Sequence, residues 1–108
     1  MPKYLLEVNQ TLDGAKGLRA EGGTSRVAPA TALVESLGGR VESFHFALGH
    51  TDAYVVIDLP NNSSAAAGAL AVNIGGGATA RTVALLTAAE VDESVAAGKN
   101  ATSRPPGS

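Results

Sequence analysis

Residues Arg40 to Leu59 read RVESFHFAL-GHTD-AYVVIDL and contain two strand-like runs on either side of a turn. Two runs rich in β-branched and aromatic residues, Arg40–Leu48 and Ala53–Leu59, flank the turn-forming residues Gly49–Asp52, and this pattern predicts a β-hairpin. Successive side chains of a strand point to opposite faces of a sheet, so the first run predicts two sets of neighbours. These sets are Phe44, Phe46 and Leu48 on one face, and Val41, Ser43, His45 and Ala47 on the other.

A helix is predicted on each side of this hairpin. The first covers Arg26–Leu37, with Thr24 and Ser25 as its expected N-cap. Its buried face is marked by apolar residues at spacings of three and four, namely Val27, Ala30, Val34 and Leu37. The second is the alanine-rich run Ala65–Asn73, which the three glycines at 75–77 are expected to end.

Further strands are predicted near the two ends of the chain. Lys3–Val8 precedes a weakly helical run, 14–20, while Ala80–Leu86 precedes a last helix, Ala88–Ala96, which a capping box opens. The order βαββαβ with a terminal helix is that of the ferredoxin-like fold. The predicted class is therefore α+β, with a four-stranded antiparallel sheet that carries both main helices on one face. Residues 1–97 form the predicted domain, and residues 98–108 a flexible tail.

The composition of the 108-residue chain excludes several classes of function. Eight Lys and Arg against ten Asp and Glu give a net charge of −2, which lacks the basic excess that binding to nucleic acid normally needs. With no cysteine and two histidines, we expect neither a metal site nor a cofactor. No apolar run is long enough to span a membrane, and the start lacks the pattern of a signal peptide, so a cytoplasmic location is expected.

The predicted sheet is apolar on both of its faces. The alternating sets are Ala53, Val55 and Ile57 against Tyr54 and Val56 in the third strand, and Val83 and Leu85 against Ala84 and Leu86 in the fourth. A sheet face exposed to water would instead alternate cleanly to polar residues. Because the two helices cover one face, we expect a second copy of the chain to cover the other, and we predict a homodimer or a higher oligomer.

An ordered set of motifs resembles the GYD domain family. They are Glu21–Arg26 (EGGTSR), Leu37–Gly39 (LGG), Gly49–Tyr54 (GHTDAY), Asp58–Pro60 (DLP), Arg81–Val83 (RTV) and Leu86–Glu90 (LTAAE). The resemblance covers residues 2–96 and implies a small bacterial protein with a dimeric α+β-barrel fold, in which two ferredoxin-like sheets face each other. It implies no settled activity, although relatives of that architecture include cofactor-free monooxygenases and isomerases. Thr51 occupies the position of the tyrosine that names the motif, so a role of that phenol is not carried over.

Two histidines and an aspartate of the hairpin are the candidate catalytic residues. His45 or His50 could transfer protons near neutral pH, with Asp52 orienting the imidazole. The structural alternative is that His45 is a core or interface residue, that Gly49 takes a positive φ, and that Asp52 binds nearby backbone N–H groups. The candidate ligand-binding residues are His45, Tyr54, Arg26, Arg81 and Glu42.

Arg26 and Arg81, the two candidate arginines, each have two interpretations. Arg26 follows the run 22–25 at the start of a helix, where backbone N–H groups and the guanidinium could hold an anion, unless the run only caps the helix. Arg81 either reaches an acidic ligand or forms an ion pair with Glu42 or Glu7 at the rim of the sheet.

Three functions are consistent with these features. The first is a homo-oligomer that binds a small apolar or weakly acidic molecule in a cavity between two sheets, where Ala47, Ala53 and Val55 leave room. The second is a cofactor-independent enzyme of the oxygenase, isomerase or lyase type, which uses His45 or His50 with Asp52. The third is a structural module whose sheet face serves assembly without a ligand.

Overall fold

The computed structural model of the chain describes residues 1–107 and contains four strands and four helices. The strands are β1 (Lys3–Gln10), β2 (Arg40–Phe46), β3 (Ala53–Asp58) and β4 (Ala78–Leu85). The helices are α1 (Leu12–Glu21), α2 (Gly23–Ser36), α3 (Asn62–Gly75) and α4 (Ala88–Gly98). All of the predicted strands and helices are therefore present, although several begin earlier or end later than the sequence pattern indicated.

The four strands form one antiparallel sheet in the order β2-β3-β1-β4. This order places the first strand of the chain in the middle of the sheet, between β3 and β4. The sheet of one chain is open at β2 and β4 and does not close into a barrel. The element order and the strand order confirm the predicted ferredoxin-like α+β fold.

The core lies between the sheet and the helices α2 and α3. Its buried side chains are Tyr4, Val34, Val55, Ile57, Leu59 and Ala65. Tyr4 reaches through this layer, and its hydroxyl donates to Oδ1 of Asn62 at 2.6 Å, so the one polar atom of the ring is satisfied at the start of α3. We refer to this side of the sheet as the helix-covered face.

The alternation predicted for β2 is interrupted by a β-bulge. Val41 pairs with Ile57 and Ser43 pairs with Val56, so Glu42 is the extra residue between them. The bulge moves Val41 to the helix-covered face, where it packs against the core together with Phe44, and the prediction that Val41 shares a face with Ser43 is wrong. The strand also ends at Phe46, and Leu48 beyond it is fully exposed.

The N-terminal cap of α2 differs from the prediction. The residue that precedes α2 is Gly22, with φ 83°, and no side chain caps this helix, so the expected cap by Thr24 and Ser25 is wrong. Asn61 caps α3, with its Oδ1 accepting from the backbone N–H of Ser64 at 2.9 Å.

The end of the chain lies away from the core. The predicted capping box of α4 is confirmed, because Thr87 and Glu90 exchange side-chain to backbone hydrogen bonds at 3.1 Å. Every residue of α4 is exposed, including Val91 and Val95. Residues 99–107 contain neither helix nor strand, and Ser108, the last residue of the predicted tail, lies outside the described residues. Within 1–107, none of the helices combines the length and the apolar character that crossing a bilayer requires.

Candidate functional site

The helix-covered face contains a cavity of about 310 Å³. Its floor is formed by side chains of the sheet, namely Leu6, Val8, Phe44, Phe46, Ala53 and Val55. Its walls are formed by α2 and α3, and residues near the start of α1 and β4 close one end. Because Phe46 and Pro29 in its lining are exposed, the cavity is open to solvent.

Small side chains create this space. Ala30 on α2, Ala71 on α3, and Ala78 and Ala80 on β4 all line the cavity, and each side chain ends at Cβ. Ala53 and Val55, which were expected to leave room in a cavity between two sheets, lie instead on the helix-covered face and line the cavity of a single chain. Ala53 and Val55 were therefore predicted correctly to line a cavity, but they were assigned to the wrong face of the sheet.

Two aromatic rings form the apolar floor near the edge strand. The ring centroids of Phe44 and Phe46 lie 5.2 Å apart, with an angle of 54° between the planes. Such tilted pairs present both a ring face and ring edges to a neighbouring molecule. Gly23 at the start of α2 approaches this pair closely, since a Cβ there would lie 3.0 Å from an atom of the Phe46 ring.

Polar groups are concentrated at one end of the cavity. Arg26 and Gln10 are the lining residues with long polar side chains, and no lining residue of the described chain is acidic. Nη1 of Arg26 lies 3.7 Å from Oε2 of Glu21, which itself is exposed. Of the five candidate ligand-binding residues predicted from the sequence, Arg26 is the one that the structure places in this cavity.

The same end of the cavity is closed by a contact between the start of α1, which contains Gly14, and the glycine run 75–77 that follows α3. The Thr11 backbone N–H donates to the carbonyl of Gly77 at 3.2 Å, and the Thr11 hydroxyl donates to the carbonyl of Gly76 at 2.7 Å. Gly14 is buried against this loop, because a Cβ on Gly14 would lie 1.8 Å from the carbonyl oxygen of Gly77. Gly76 caps α3 with φ 79°, which confirms the predicted helix stop. This glycine run also forms part of the cavity wall, a role that was not predicted from the sequence.

The other four candidate ligand-binding residues lie away from the cavity. His45, Tyr54 and Arg81 occupy one row of the uncovered face of the sheet, which we call the open face, and this row reads His45–Tyr54–Glu7–Arg81 across the strands. Nε of Arg81 lies 4.0 Å from Oε2 of Glu7, so one of the two predicted ion-pair partners is found. The adjacent row, Ser43–Val56–Leu5–Val83, is largely apolar.

Glu42 belongs to a cluster of charges at one end of the open face. Its carboxylate accepts from Lys3, whose Nζ also donates to Oδ1 of Asp58 at 2.9 Å, and Arg40 Nη2 donates to Oδ2 of Asp58 at 3.1 Å. The hydrogen bonds to Glu42 and Asp58 raise the pKa of Lys3. The hydrogen bond from Lys3, reinforced by Arg40, lowers the pKa of Asp58. Both shifts follow from fixed ion pairs, and this cluster lies outside the cavity.

The hairpin turn uses Asp52 as a structural link. Its Oδ2 accepts from the backbone N–H of Gln10 at 2.8 Å, and its own N–H donates to the carbonyl of Val8 at 3.0 Å. Gly49 has the predicted positive φ, 132°. His45 and His50 are both exposed, and within residues 1–107 no hydrogen bond joins either of them to Asp52. A catalytic role of His45 or His50 with Asp52 stays a prediction.

Metal ligation has no support in the part of the chain that the structure describes. No group of three or more His, Asp or Glu side chains there is placed so that it could hold a metal ion. The polar groups of the cavity lining are the guanidinium of Arg26, the amide of Gln10 and backbone groups of the lining glycines, such as Gly77.

Comparison with known proteins places this architecture in a family. No curated protein and no solved structure gives a significant match to the chain. A family model described as "GYD domain" matches residues 4–95, which include β1 from its second residue, all of β2, β3 and β4, the helices α1 to α3 and the turn Gly49–Asp52. Thr51, which lies within the matched residues, is buried with 4% of its surface exposed. Since the match covers most of the chain, this protein belongs to the GYD domain family.

Proposed function

We propose that this chain binds a small apolar or weakly acidic molecule in the cavity between the sheet and the helices α2 and α3. The observation that carries the proposal is the cavity itself, about 310 Å³ with a mainly apolar lining. Protein interiors are normally packed with few voids larger than a water molecule. Ligand sites typically measure about 300–1,000 Å³ and combine apolar walls with a few polar groups, so the cavity fits the small end of this class.

The arrangement of the lining supports a ligand with two different ends. Leu6, Val8 and Val55 offer aliphatic surface to a ring or a branched chain, while Arg26 and Gln10 lie together at the other end. Burial of the apolar part of a ligand would contribute about 25 cal/mol per Å² of its surface removed from water. The polar end would fix the orientation of the ligand.

A test of the cavity uses two tryptophan substitutions on one helix. Ala71 on α3 lines the cavity, whereas Ala67, one turn earlier and also exposed, does not. In Ala71→Trp we expect the indole ring to occupy the cavity and to weaken binding of toluene by about ten-fold or more, while Ala67→Trp retains the affinity of the unsubstituted protein. Binding is measured by NMR, from the methyl signals of Leu6, Val8 and Val55. Toluene that leaves these methyl signals unmoved, or that binds equally to both variants, would contradict the proposal.

We also propose that two copies of the chain associate through the open face. Leu5 lies between Val56 and Val83 in an apolar row, and Val83 and Tyr54 are each 40% exposed in a single chain. Two such sheets that pack face to face would bury these rows against each other, in agreement with the dimeric barrel that the resemblance implies. Ligand binding would then take place on the outer side of each sheet, beneath the helices.

The oligomer test compares two charges on adjacent residues of β4. Val83→Glu places a carboxylate on the open face, and Thr82→Glu places the same group on the opposite face of the strand. We expect light scattering to give twice the 10.8 kDa chain mass, or a higher multiple, for the unsubstituted protein and for Thr82→Glu, and 10.8 kDa for Val83→Glu. A mass of 10.8 kDa for the unsubstituted protein at micromolar concentration would refute the association.

A further inference from the structure

We infer that the cavity selects small carboxylic acids over neutral molecules of the same shape, and that Glu21 competes with the acid for Arg26. The inference rests on the proposed function, because it assigns a ligand class to the same cavity. The ligand class is a carboxylate attached to a compact apolar body, such as a single aromatic ring. The acid group would lie beside Arg26, and the ring would lie over the sheet near Phe44 and Phe46.

The charge of the lining gives the first reason. Arg26 carries a full positive charge, and the described lining contains no carboxylate that would offset it inside the cavity. The guanidinium has five N–H donors, and within residues 1–107 its close ionic neighbour is Glu21 at 3.7 Å, which is longer than a hydrogen bond. A carboxylate ligand can accept two parallel N–H bonds from such a group, whereas a neutral amide cannot match that pairing.

The exposure of the two charged side chains gives the second reason. The Arg26 side chain is 38% exposed and the Glu21 side chain is 56% exposed, so their ion pair lies in contact with water and is weak. A ligand carboxylate would approach Arg26 from the apolar side, where water is partly excluded and the same charges attract each other more strongly. The ligand therefore has the better position for the guanidinium, and Glu21 lowers the affinity by offering an alternative partner.

The glycine run gives the third reason, because it leaves space beside the guanidinium. A Cβ at Gly77 would lie 3.8 Å from Nη2 of Arg26, and it would take up room in which an acid group could sit. Gly77 is held in place through its carbonyl, which accepts from Thr11, and through its contact with Gly14. The part of the cavity wall that borders this space is therefore held in place.

The experiment uses benzoate and benzamide, which share a ring and a planar three-atom head group but differ in charge. We expect benzoate to bind the unsubstituted protein about ten-fold more tightly than benzamide, at a pH near neutral and at low salt. In Arg26→Gln the affinity for benzoate should fall by about ten-fold and the affinity for benzamide by clearly less, so that the preference for benzoate is lost. In Glu21→Gln the affinity for benzoate should rise about two- to five-fold, with no change for benzamide.

Lys16→Gln is the matched control, because it removes an exposed positive charge from α1 without altering the cavity lining. It should leave the preference for benzoate in place. Equal affinities for benzoate and benzamide in the unsubstituted protein, or an equal loss of both in Arg26→Gln, would overturn the inference while leaving the binding of neutral molecules intact. If toluene, benzamide and benzoate all fail to move the methyl signals of Val8 and Val55, the proposed function fails together with it.

Discussion

Val55 and Ile57 on the helix-covered face are 3% and 2% exposed, whereas Tyr54 and Val83 on the open face are each 40% exposed. The two faces are built from the same strands and carry similar apolar residues. They differ in what lies above them, since α2 and α3 cover one face and no described element covers the other. From the sequence, both the ligand cavity and the contact with a second copy were expected between two sheets. The structure places the cavity under the helices, and the contact with a second copy is proposed for the opposite face.

The largest expected effect comes from truncation of a core side chain. Ile57→Ala should lower the free energy of unfolding by about 2–5 kcal/mol, because it removes a side chain from a fully packed site and leaves a cavity. Val83→Ala on the open face should cost less than about 1 kcal/mol in a dilute, dissociated sample, since the side chain is already partly in water. Urea unfolding of both variants checks the difference. Similar losses would show that the two faces are equally buried.

A second prediction contrasts two glycines of α1. Gly14→Ala should destabilise the protein by about 1–3 kcal/mol, because its Cβ would overlap the carbonyl of Gly77 and force the start of α1 away from the glycine run. Gly17→Ala meets nothing within 4 Å, so it should stabilise the helix by about 0.5–1 kcal/mol. Thermal unfolding gives the order of the two variants, and the reverse order would contradict the close contact between α1 and the glycine run.

A third prediction concerns acid stability at the charged end of the open face. The pKa of Asp58 is lowered in the folded protein by the hydrogen bond from Lys3 and by Arg40, so this ion pair contributes stability above the ordinary carboxyl pKa of about 4. That contribution is lost as the pH falls through the lowered pKa. Asp58→Asn should therefore reduce stability at neutral pH and flatten its decline in acid. Urea midpoints measured at several pH values test this, and an unchanged acid slope in Asp58→Asn would argue against it.

The smallest expected effect comes from the ion pair in the middle of the open face. Glu7 and Arg81 lie 4.0 Å apart, and the Arg81 side chain is 60% exposed, so Glu7→Gln should change the free energy of unfolding of the dissociated chain by less than about 0.5 kcal/mol. Chemical unfolding at low protein concentration measures this value. A loss above about 1 kcal/mol would indicate that the open face is more strongly organised within one chain than its exposure suggests.

Local periodicity was sufficient to predict most of the fold. The alternation in Ala53–Leu59 and the spacing of Val27, Ala30, Val34 and Leu37 depend on which side chains a strand or helix can bury, and these patterns are visible in the sequence. The bulge at Glu42 was missed because the surrounding run still looks like a regular strand. Its position becomes clear only from the pairing of β2 with β3, in which Val41 lies opposite Ile57 and Ser43 lies opposite Val56.

The candidate site was less accessible to sequence analysis. A cavity is a gap between elements, and the distance of α2 and α3 from the sheet depends on packing across the whole core. The alanines Ala30, Ala71 and Ala80 were the available signal, because each contributes only a methyl group to the cavity lining, the first two from helices and the third from β4. Arg26 was identified as a ligand candidate from its place at a helix start, and the structure adds that its guanidinium lines the cavity.

The position of β1 in the middle of the sheet has a consequence for how the protein is made. Of the four strands of the sheet it is the first to be synthesised, yet its two neighbours are β3 and β4, and Lys3 acquires its last strand partner only when Leu85 has been synthesised. Contacts between such distant segments slow folding, because a long loop has to close before they form. A nascent chain that ends after β3 can pair β1 on one edge only, because β4 does not yet exist. The unpaired edge of this apolar strand is a template for aggregation. The sheet can therefore be completed only after β4 has left the ribosome.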